Sequence, residues 1–235
     1  MALPVLNAAK YRTIVPSLGK EVEYRPYLVK EEKILMIAIE SQDQRQILSA
    51  LKDVIKACVF DDIDVDELAM FDIETLFLKL RSKSVGETTE IKAKCEKCDT
   101  PNNQLIKFDD IEIPKIKKGK MTIGLTGDIG VTLRYPSVTT IEKSDSPNMD
   151  SYDSVVGLIS NCIESIYDAD NVYSAKDEGT KEVLNFVESL NSDQFSKLTE
   201  FFQSIPSLKY DLEYDCVKCG HKNKLELKGI ESFFG

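Results

Sequence analysis

Apolar residues recur at helical spacing in several parts of the chain, with polar residues between them. Over residues 43–59 they form one stripe, which consists of Ile47, Leu48, Leu51, Val54, Ile55 and Cys58. Because this period matches the α-helix, the stripe predicts a helix, with Ser41 as its candidate N-cap. The same spacing predicts helices over 66–81, 154–167, 180–190 and 192–203. Cys58 and Cys162 fall on the apolar faces of two of these helices, so we expect both to be small buried hydrophobic side chains.

Short alternating segments on either side of turn residues predict β-hairpins. One hairpin is predicted over 11–25, with its turn at 16–19, and Pro26 then precedes a helix. A second is predicted over 121–135, with its turn at 127–130, and Pro136 follows it. Two further hairpins each enclose a Cys-x-x-Cys pair, with strands at 90–94 and 105–108 and at 210–214 and 225–227. Helices and short antiparallel hairpins in this order indicate an α+β fold.

This order of elements occurs twice along the chain. Each occurrence has an N-terminal β-hairpin, an amphipathic helical segment and a Cys-x-x-Cys hairpin, so that Pro26 corresponds to Pro136 and Cys95 to Cys216. The spacing between equivalent positions increases along the chain, which an insertion around 173–180 explains. We therefore predict two related halves, residues 1–116 and 117–235, that arose by tandem duplication. The alternative is that the halves look alike because hairpins and amphipathic helices are common.

The two Cys-x-x-Cys pairs carry the chemistry of the sequence. Two thiolates two residues apart at a tight hairpin turn can face one ion, and a second such pair completes a tetrahedron. The pairs lie much farther apart than the roughly 15 to 20 residues of a compact zinc ribbon, so the site would join distant parts of the chain. Four thiolates leave the ion no open position for water or substrate. We therefore expect one structural zinc ion with the ligands Cys95, Cys98, Cys216 and Cys219.

Two other interpretations of these cysteines stay open at this point. A redox dithiol usually lies at a helix N-terminus in a βαβ context, which is not predicted here. Two structural disulfides would need an oxidising compartment. The only histidine, His221, directly follows the second pair and could replace a cysteine as ligand, although a turn position on the surface is its more ordinary role.

The sequence contains no recognisable pattern of catalytic residues. Asp62, Asp64 and Asp66 alternate like the start of a calcium loop, but the required glycine is missing and Ile73 occupies the position of the final glutamate. The glycines in 119–130 lack the Gly-Lys-Ser/Thr of a phosphate-binding loop. A single histidine, with no acid pair or activated nucleophile in a recognisable setting, predicts that the protein is not an enzyme.

Composition and charge narrow the class of protein further. With 42% hydrophobic and 30% charged residues, the chain has the composition of an ordinary globular protein. Its net charge of −10 argues against general binding to nucleic-acid phosphates, and we interpret the basic run at 115–120 as a solvated linker. The first residues resemble no signal peptide, and no segment approaches the roughly 20 apolar residues of a membrane span. We thus expect a reducing cytoplasm, which favours zinc over disulfides, and no membrane partner.

Several segments together resemble the baseplate hub subunit, or hub assembly protein, of T4-like contractile-tailed bacteriophages. They are Ala2-Leu3-Pro4-Val5, Tyr24-Arg25-Pro26-Tyr27-Leu28-Val29-Lys30-Glu31-Glu32-Lys33, Lys83-Ser84-Val85-Gly86-Glu87 and Ser232-Phe233-Phe234-Gly235. The resemblance covers nearly the whole chain, but none of these segments carries chemistry. It implies a non-enzymatic structural or assembly protein that contacts other hub and tail proteins, in the virion tail baseplate or in the host cytoplasm during assembly. A homo-oligomer is compatible with this role.

A second class of function stays open beside the first. Zinc ribbons often serve as binding modules, so the chain could be a zinc-ribbon adaptor or nucleic-acid-binding module unrelated to the virion. The acidic balance disfavours nucleic acid, and a salt-dependent affinity for DNA would favour it. For the phage interpretation, Phe233 and Phe234 near the C-terminus and the apolar run at 3–6 are candidate contacts with partners, while folding back of the two aromatic residues onto the second cysteine hairpin is the alternative.

Overall fold

The computed structural model describes residues 8–113, 116, 121–143, 152–229 and 232, so the predicted contacts at 3–6 and at Phe233 and Phe234, and nearly all of the basic run, lie outside the described residues. The strands are β1 Tyr11–Val15, β2 Lys20–Tyr24, β3 Thr88–Lys94, β4 Pro101–Lys107, β5 Met121–Thr126, β6 Ile129–Leu133, β7 Ile163–Tyr167, β8 Val172–Ser174, β9 Lys209–Asp215 and β10 Lys222–Lys228. The helices are α1 Val29–Ser41, α2 Gln44–Cys58, α3 Met70–Ser84, α4 Val138–Lys143, α5 Tyr152–Cys162, α6 Ala175–Glu178, α7 Thr180–Glu188 and α8 Ser192–Gln203. The fold thus mixes helices with small antiparallel sheets, as expected. Among the described helices, none is both long and apolar enough to cross a bilayer.

The chain forms two compact units. Among the described residues, the first unit comprises 8–65, 70–113, 116, 206–229 and 232, and the second comprises 66–69, 121–143 and 152–205. The units therefore differ from the halves 1–116 and 117–235, because the strands β9 and β10 of the second half lie in the first unit together with β3 and β4. A duplication of the two halves concerns the origin of the chain and stays a prediction.

The first unit has a helical core. Helix α2 buries Leu51, Val54 and Ile55, and α3 contributes the largest set of fully buried side chains, which includes Phe71, Ile73, Leu76, Phe77 and Leu80. The predicted N-cap of α2 at Ser41 is wrong. Asp43 caps the helix instead, since its carboxylate accepts hydrogen bonds from the backbone amides of Arg45 and Gln46, while Ser41 ends α1.

The predicted helix over 66–81 begins later than expected. Residues 65–67 form a single 3-10 turn, and α3 begins at Met70. Between them, Ala69 forms a β-bridge with Ser137, and the carbonyl of Leu68 accepts a hydrogen bond from the amide of Val138. The backbone groups that would have opened the helix are therefore satisfied by a distant segment, which local helical periodicity cannot show.

The second unit is built on an antiparallel sheet in the order β5-β6-β7-β8. Its core includes Val131 and Leu133 of β6, Ile159 of α5, and Leu198 and Phe201 of α8. Helix α8 begins with a capping box in which Asn191 and Gln194 exchange side-chain to backbone hydrogen bonds. Helices α7 and α8 confirm the predictions over 180–190 and 192–203 to within two residues.

The predicted helix over 154–167 is correct only in its first part. Helix α5 ends at Cys162, and the next residues form β7, in which Ile166 pairs with Val131 and Ile163 with Leu133. Isoleucines at these positions suit a strand as well as a helix. Strand β6 offers a free edge at this point, and pairing with it satisfies the backbone of β7.

A pair of arginines makes matching contacts in the two units. The amide of Arg25 donates to the carbonyl of Cys58 at 3.0 Å, and its guanidinium Nη2 donates to the carbonyl of Ala57 at 2.9 Å. Arg134 repeats this arrangement with Cys162 at 2.9 Å and Asn161 at 3.1 Å. In each unit the arginine therefore joins the end of a hairpin to the end of a helix.

Cys58 and Cys162 are fully buried, as their helical spacing predicts. Burial raises the pKa of the Cys58 thiol to about 11 and that of the Cys162 thiol to about 12. With these pKa values both thiols are protonated at neutral pH. They are therefore unreactive, because only the thiolate is a strong nucleophile. They act as small core side chains.

Candidate metal centre

The two Cys-x-x-Cys pairs lie at the tips of two hairpins of the same unit. Strands β3 and β4 pair from Thr88–Lys107 to Lys94–Pro101, and β9 and β10 pair from Lys209–Lys228 to Asp215–Lys222. Along each strand buried and exposed residues alternate, so that one face of each hairpin is anchored in the unit. The strand pairing thereby fixes where each tip lies.

Both tips have the same backbone geometry. The amide of Cys95 donates to the carbonyl of Thr100 at 3.0 Å, and the amide of Asp99 donates to the carbonyl of Cys95 at 2.9 Å. In the second tip Cys216 pairs with His221, and Gly220 with Cys216, each at 2.9 Å. Asp99 and Gly220 occupy the equivalent position with φ of 53° and 67°. This left-handed conformation suits glycine and lets the chain turn from the cysteine pair into the returning strand.

The tips bring the four predicted ligand residues together. The sulfurs of Cys95, Cys98, Cys216 and Cys219 all lie within 4.8 Å of one another. Two close sulfur contacts join one tip to the other. Cys95 Sγ lies 3.7 Å from Cys219 Sγ, and Cys98 Sγ lies 3.6 Å from Cys216 Sγ. All four thiols are free. Such a cluster could hold a metal ion, and His221 is not part of it.

Backbone amides favour the thiolate form at this cluster. The amides of Cys219 and Lys218 donate to the sulfur of Cys216 and lower its pKa to about 6. The hydroxyl of Thr100, 3.3 Å from Cys98 Sγ, lowers the pKa of that thiol too. The amide of His221 lowers the pKa of Cys219, but burial and the neighbouring sulfurs outweigh it and raise the value to about 11. At neutral pH the cluster therefore carries thiolate charge that a cation would neutralise.

Two buried asparagines join the tips reciprocally. The side-chain oxygen of Asn102 accepts a hydrogen bond from the amide of Val217, and that of Asn223 accepts one from the amide of Glu96, both at 2.9 Å. Each asparagine also donates to a carbonyl of its own tip, at Thr100 or His221. Only 1% of Asn102 and 4% of Asn223 is exposed. The two tips are thus held face to face by protein groups alone.

Sequence reasoning did not identify these asparagines. They occupy the same position relative to the first cysteine of each pair, and that repetition was the available signal. A further link, in which the hydroxyl of Tyr214 donates to the carbonyl of Lys94 at 2.8 Å, has no counterpart in the other tip and no sequence signal. The pairing of the hairpins was therefore hidden because its hydrogen bonds connect residues more than a hundred positions apart.

The fold and the four-thiol cluster define an α+β protein with a candidate metal site formed by four cysteines. The family described as T4 bacteriophage base plate protein matches residues 8–235, and the chain belongs to this family. Membership implies a place in the phage tail and contacts with other tail and baseplate proteins. Neither a curated protein nor a solved structure matches the chain significantly.

Proposed function

We propose that this protein is a structural or assembly subunit of the baseplate hub at the tip of the phage tail. It acts through protein–protein contacts, without catalysis, and Cys95, Cys98, Cys216 and Cys219 hold a structural zinc ion. The family match over residues 8–235 is the observation that carries the baseplate role. The hub assignment rests on the resemblance of the segments at 24–33 and 83–87 to hub proteins.

The donor set supports a soft metal ion such as zinc. Four sulfur ligands in a tetrahedron are typical of zinc or of iron–sulfur chemistry. Calcium and magnesium do not suit such a site, because these hard cations prefer oxygen ligands to soft thiolates. With a Zn–S distance of about 2.3 Å, the sulfurs of a regular tetrahedron lie about 3.8 Å apart. The close sulfur contacts of 3.6 and 3.7 Å approach this value. An ion at their centre would have no open position and would only hold the two hairpins together.

Helix α1 supports a role in protein–protein contacts. Its buried side is formed by Glu31, Leu35 and Ala38. Other apolar side chains of the helix are exposed. Met36 is 55% exposed and Ile37 is 56% exposed, and Val29, Ile34 and Ile39 are exposed as well. Residues 34–39 are all apolar, and a helical segment that is apolar on all sides is normally buried. We therefore propose that another baseplate protein covers the outer face of α1.

Substitution of Met36 and Ile37 by glutamine should separate docking from folding. Glutamine preserves helix propensity, so the melting temperature should stay within about 3 °C of the parent protein. Incorporation into baseplate complexes, measured by quantitative mass spectrometry after complementation of a phage that lacks the gene, should fall at least tenfold. The matched control is Lys33→Gln with Glu40→Gln, which alters exposed polar residues of the same helix. Wild-type incorporation of the Met36 and Ile37 variant would refute docking through α1.

Mass spectrometry of purified virions and of tail intermediates tests the role itself. A structural subunit should be present in mature virions at a fixed ratio to the other baseplate proteins, whereas an assembly protein should occur only in the intermediates. Absence from both would refute the proposed function. In that case a salt-dependent affinity of the purified protein for DNA would identify the adaptor alternative.

The buried asparagines give a prediction on the zinc site. Asn102→Ala should lower zinc affinity about 10- to 100-fold, which is the usual effect of removing a group that orients metal ligands. The reason is that the amide of Val217 loses its partner and the second tip is held less firmly. Zinc competition against a chromogenic chelator measures the effect, and Asn223→Ala should match it. Asn103→Ala, at an exposed neighbouring position, is the control and should bind zinc like the parent protein.

We also propose that the halves 1–116 and 117–235 are related by duplication. The matching contacts of Arg25 with Cys58 and Arg134 with Cys162, and the reciprocal bonds of Asn102 and Asn223, support this origin. Strand β8 and helix α6 cover the region of the expected insertion around 173–180. In an experimental structure the halves should superpose with hairpins, helices and cysteine tips in the same order. Superposition of the cysteine tips alone would contradict the proposal.

A further inference from the structure

The second unit contains an open pocket of about 290 Å³ that the metal centre does not involve. Its floor is apolar and is formed by Ile129 of β6, Ile166 of β7, and Val183 and Phe186 of α7. Its rim is different in character. It carries the carboxylates of Asp168, Glu178 and Glu182 beside the rings of Tyr167 and Tyr173.

The carboxylates of the rim differ in how they are bound. Asp168 is fixed within its turn, because it accepts hydrogen bonds from the amides of Asp170 and Asn171 and from the hydroxyl of Tyr173 at 2.9 Å. Glu178 ends α6, and Glu182 lies in the first turn of α7. The side chains of Glu178 and Glu182 form no hydrogen bond or ion pair with any described residue. The rim therefore presents uncompensated negative charge above an apolar floor.

We propose that this pocket receives the side chain of a lysine or arginine from another baseplate protein, an inference that rests on the proposed function. The alkyl stem of such a side chain packs against Ile166, Val183 and Phe186, as long basic side chains do on apolar surfaces. Its cationic head lies among the carboxylates and beside the ring of Tyr173, which adds a cation–π contact. Both the floor and the rim are then used by one side chain.

Other occupants fit the pocket less well. A purely apolar side chain would desolvate the glutamates without pairing them, which is costly. An acidic segment or a nucleic-acid backbone would be repelled by the rim. A small-molecule ligand usually needs roughly 300–1,000 Å³ and deep enclosure, whereas this pocket lies just below that range and is open.

Charge reversal at the rim tests the proposal in the whole phage. Glu178→Lys with Glu182→Lys should still fold, because both positions are exposed and only the unfavourable charge of a lysine in the first turn of α7 lowers the melting temperature slightly. The variant should lower incorporation into baseplate complexes at least tenfold. Glu188→Lys with Glu200→Lys changes the net charge equally at exposed helix positions outside the pocket and should be incorporated normally. Glu178→Met with Glu182→Met distinguishes a cationic from an apolar occupant and should also reduce incorporation.

Each outcome decides between the occupants. Normal incorporation of the charge-reversed protein overturns the pocket proposal and leaves the proposed function standing. Equal or better incorporation of the methionine variant shows an apolar occupant and overturns it as well. A change of oligomeric state of the purified charge-reversed protein, measured by light scattering, would assign the pocket to a second copy of this chain. Absence of the parent protein from every baseplate complex would overturn the proposed function and this inference together.

Discussion

Cys216→Ser is expected to release the proposed zinc ion and to lower the melting temperature by about 6–20 °C. Binding free energies of structural zinc reach about 10–16 kcal/mol in small zinc domains, and this energy is coupled to folding. Here the unit has a helical core of its own, so only part of that energy is lost, on the order of 3–5 kcal/mol. For a chain of this size each kcal/mol shifts the melting temperature by about 2–4 °C.

Metal content and thermal unfolding measured on the same sample check this prediction. The parent protein should contain one zinc ion per chain and the Cys216→Ser protein less than a tenth of that. Cys58→Ala is the control, because it removes a buried thiol outside the cluster and should keep the full zinc content despite a small loss of stability. A Cys216→Ser protein that retains its zinc, or a parent protein that binds none when refolded with zinc, would refute the site.

Glu31→Ala should cost about 2–3 kcal/mol of stability, less than the full penalty for breaking a buried ion pair, because Arg25 is partly exposed. The carboxylate of Glu31 is 3% exposed and lies 3.0 Å from the guanidinium of Arg25. It also accepts a hydrogen bond of 2.7 Å from the amide of Leu28 at the start of α1. Its loss would leave the partly exposed guanidinium of Arg25 without its charge partner and this helix end without its carboxylate cap. Urea unfolding at neutral pH measures the change, with Glu32→Ala at an exposed position as the control.

The same carboxylate should make the protein sensitive to acid. Burial alone would raise the pKa of Glu31, but Arg25 and the amide of Leu28 outweigh it and hold the pKa below its ordinary value of 4.5. A lowered pKa in the folded state means that the stabilisation is complete above the ordinary value and is lost as the pH falls through the folded value. Glu31→Gln should therefore flatten the decline of the urea midpoint below about pH 4.5. An unchanged decline would show that other carboxylates cause it.

The family of the protein and the four cysteines that could bind a metal could be read from the sequence because their signals are local. The spacing of each Cys-x-x-Cys pair within a hairpin is set by a few neighbouring residues. Helices α7 and α8 were predicted nearly to the residue because each has a complete amphipathic stripe, and α8 also has its capping box. Burial of Cys58 and Cys162 followed from the same periodicity.

The sequence by itself thus determined which residues could bind a metal, where most helices lie and which family the chain resembles. Only the tertiary structure decided that β9 and β10 join the first unit, that α5 gives way to β7 after Cys162, and that Asn102 and Asn223 hold the cysteine tips together. Each of these features depends on a backbone group or sheet edge supplied by a distant part of the chain. Local propensity leaves such choices open. For a short segment, the free-energy difference between helix and strand is smaller than the contribution of the buried hydrogen bonds that a distant segment provides.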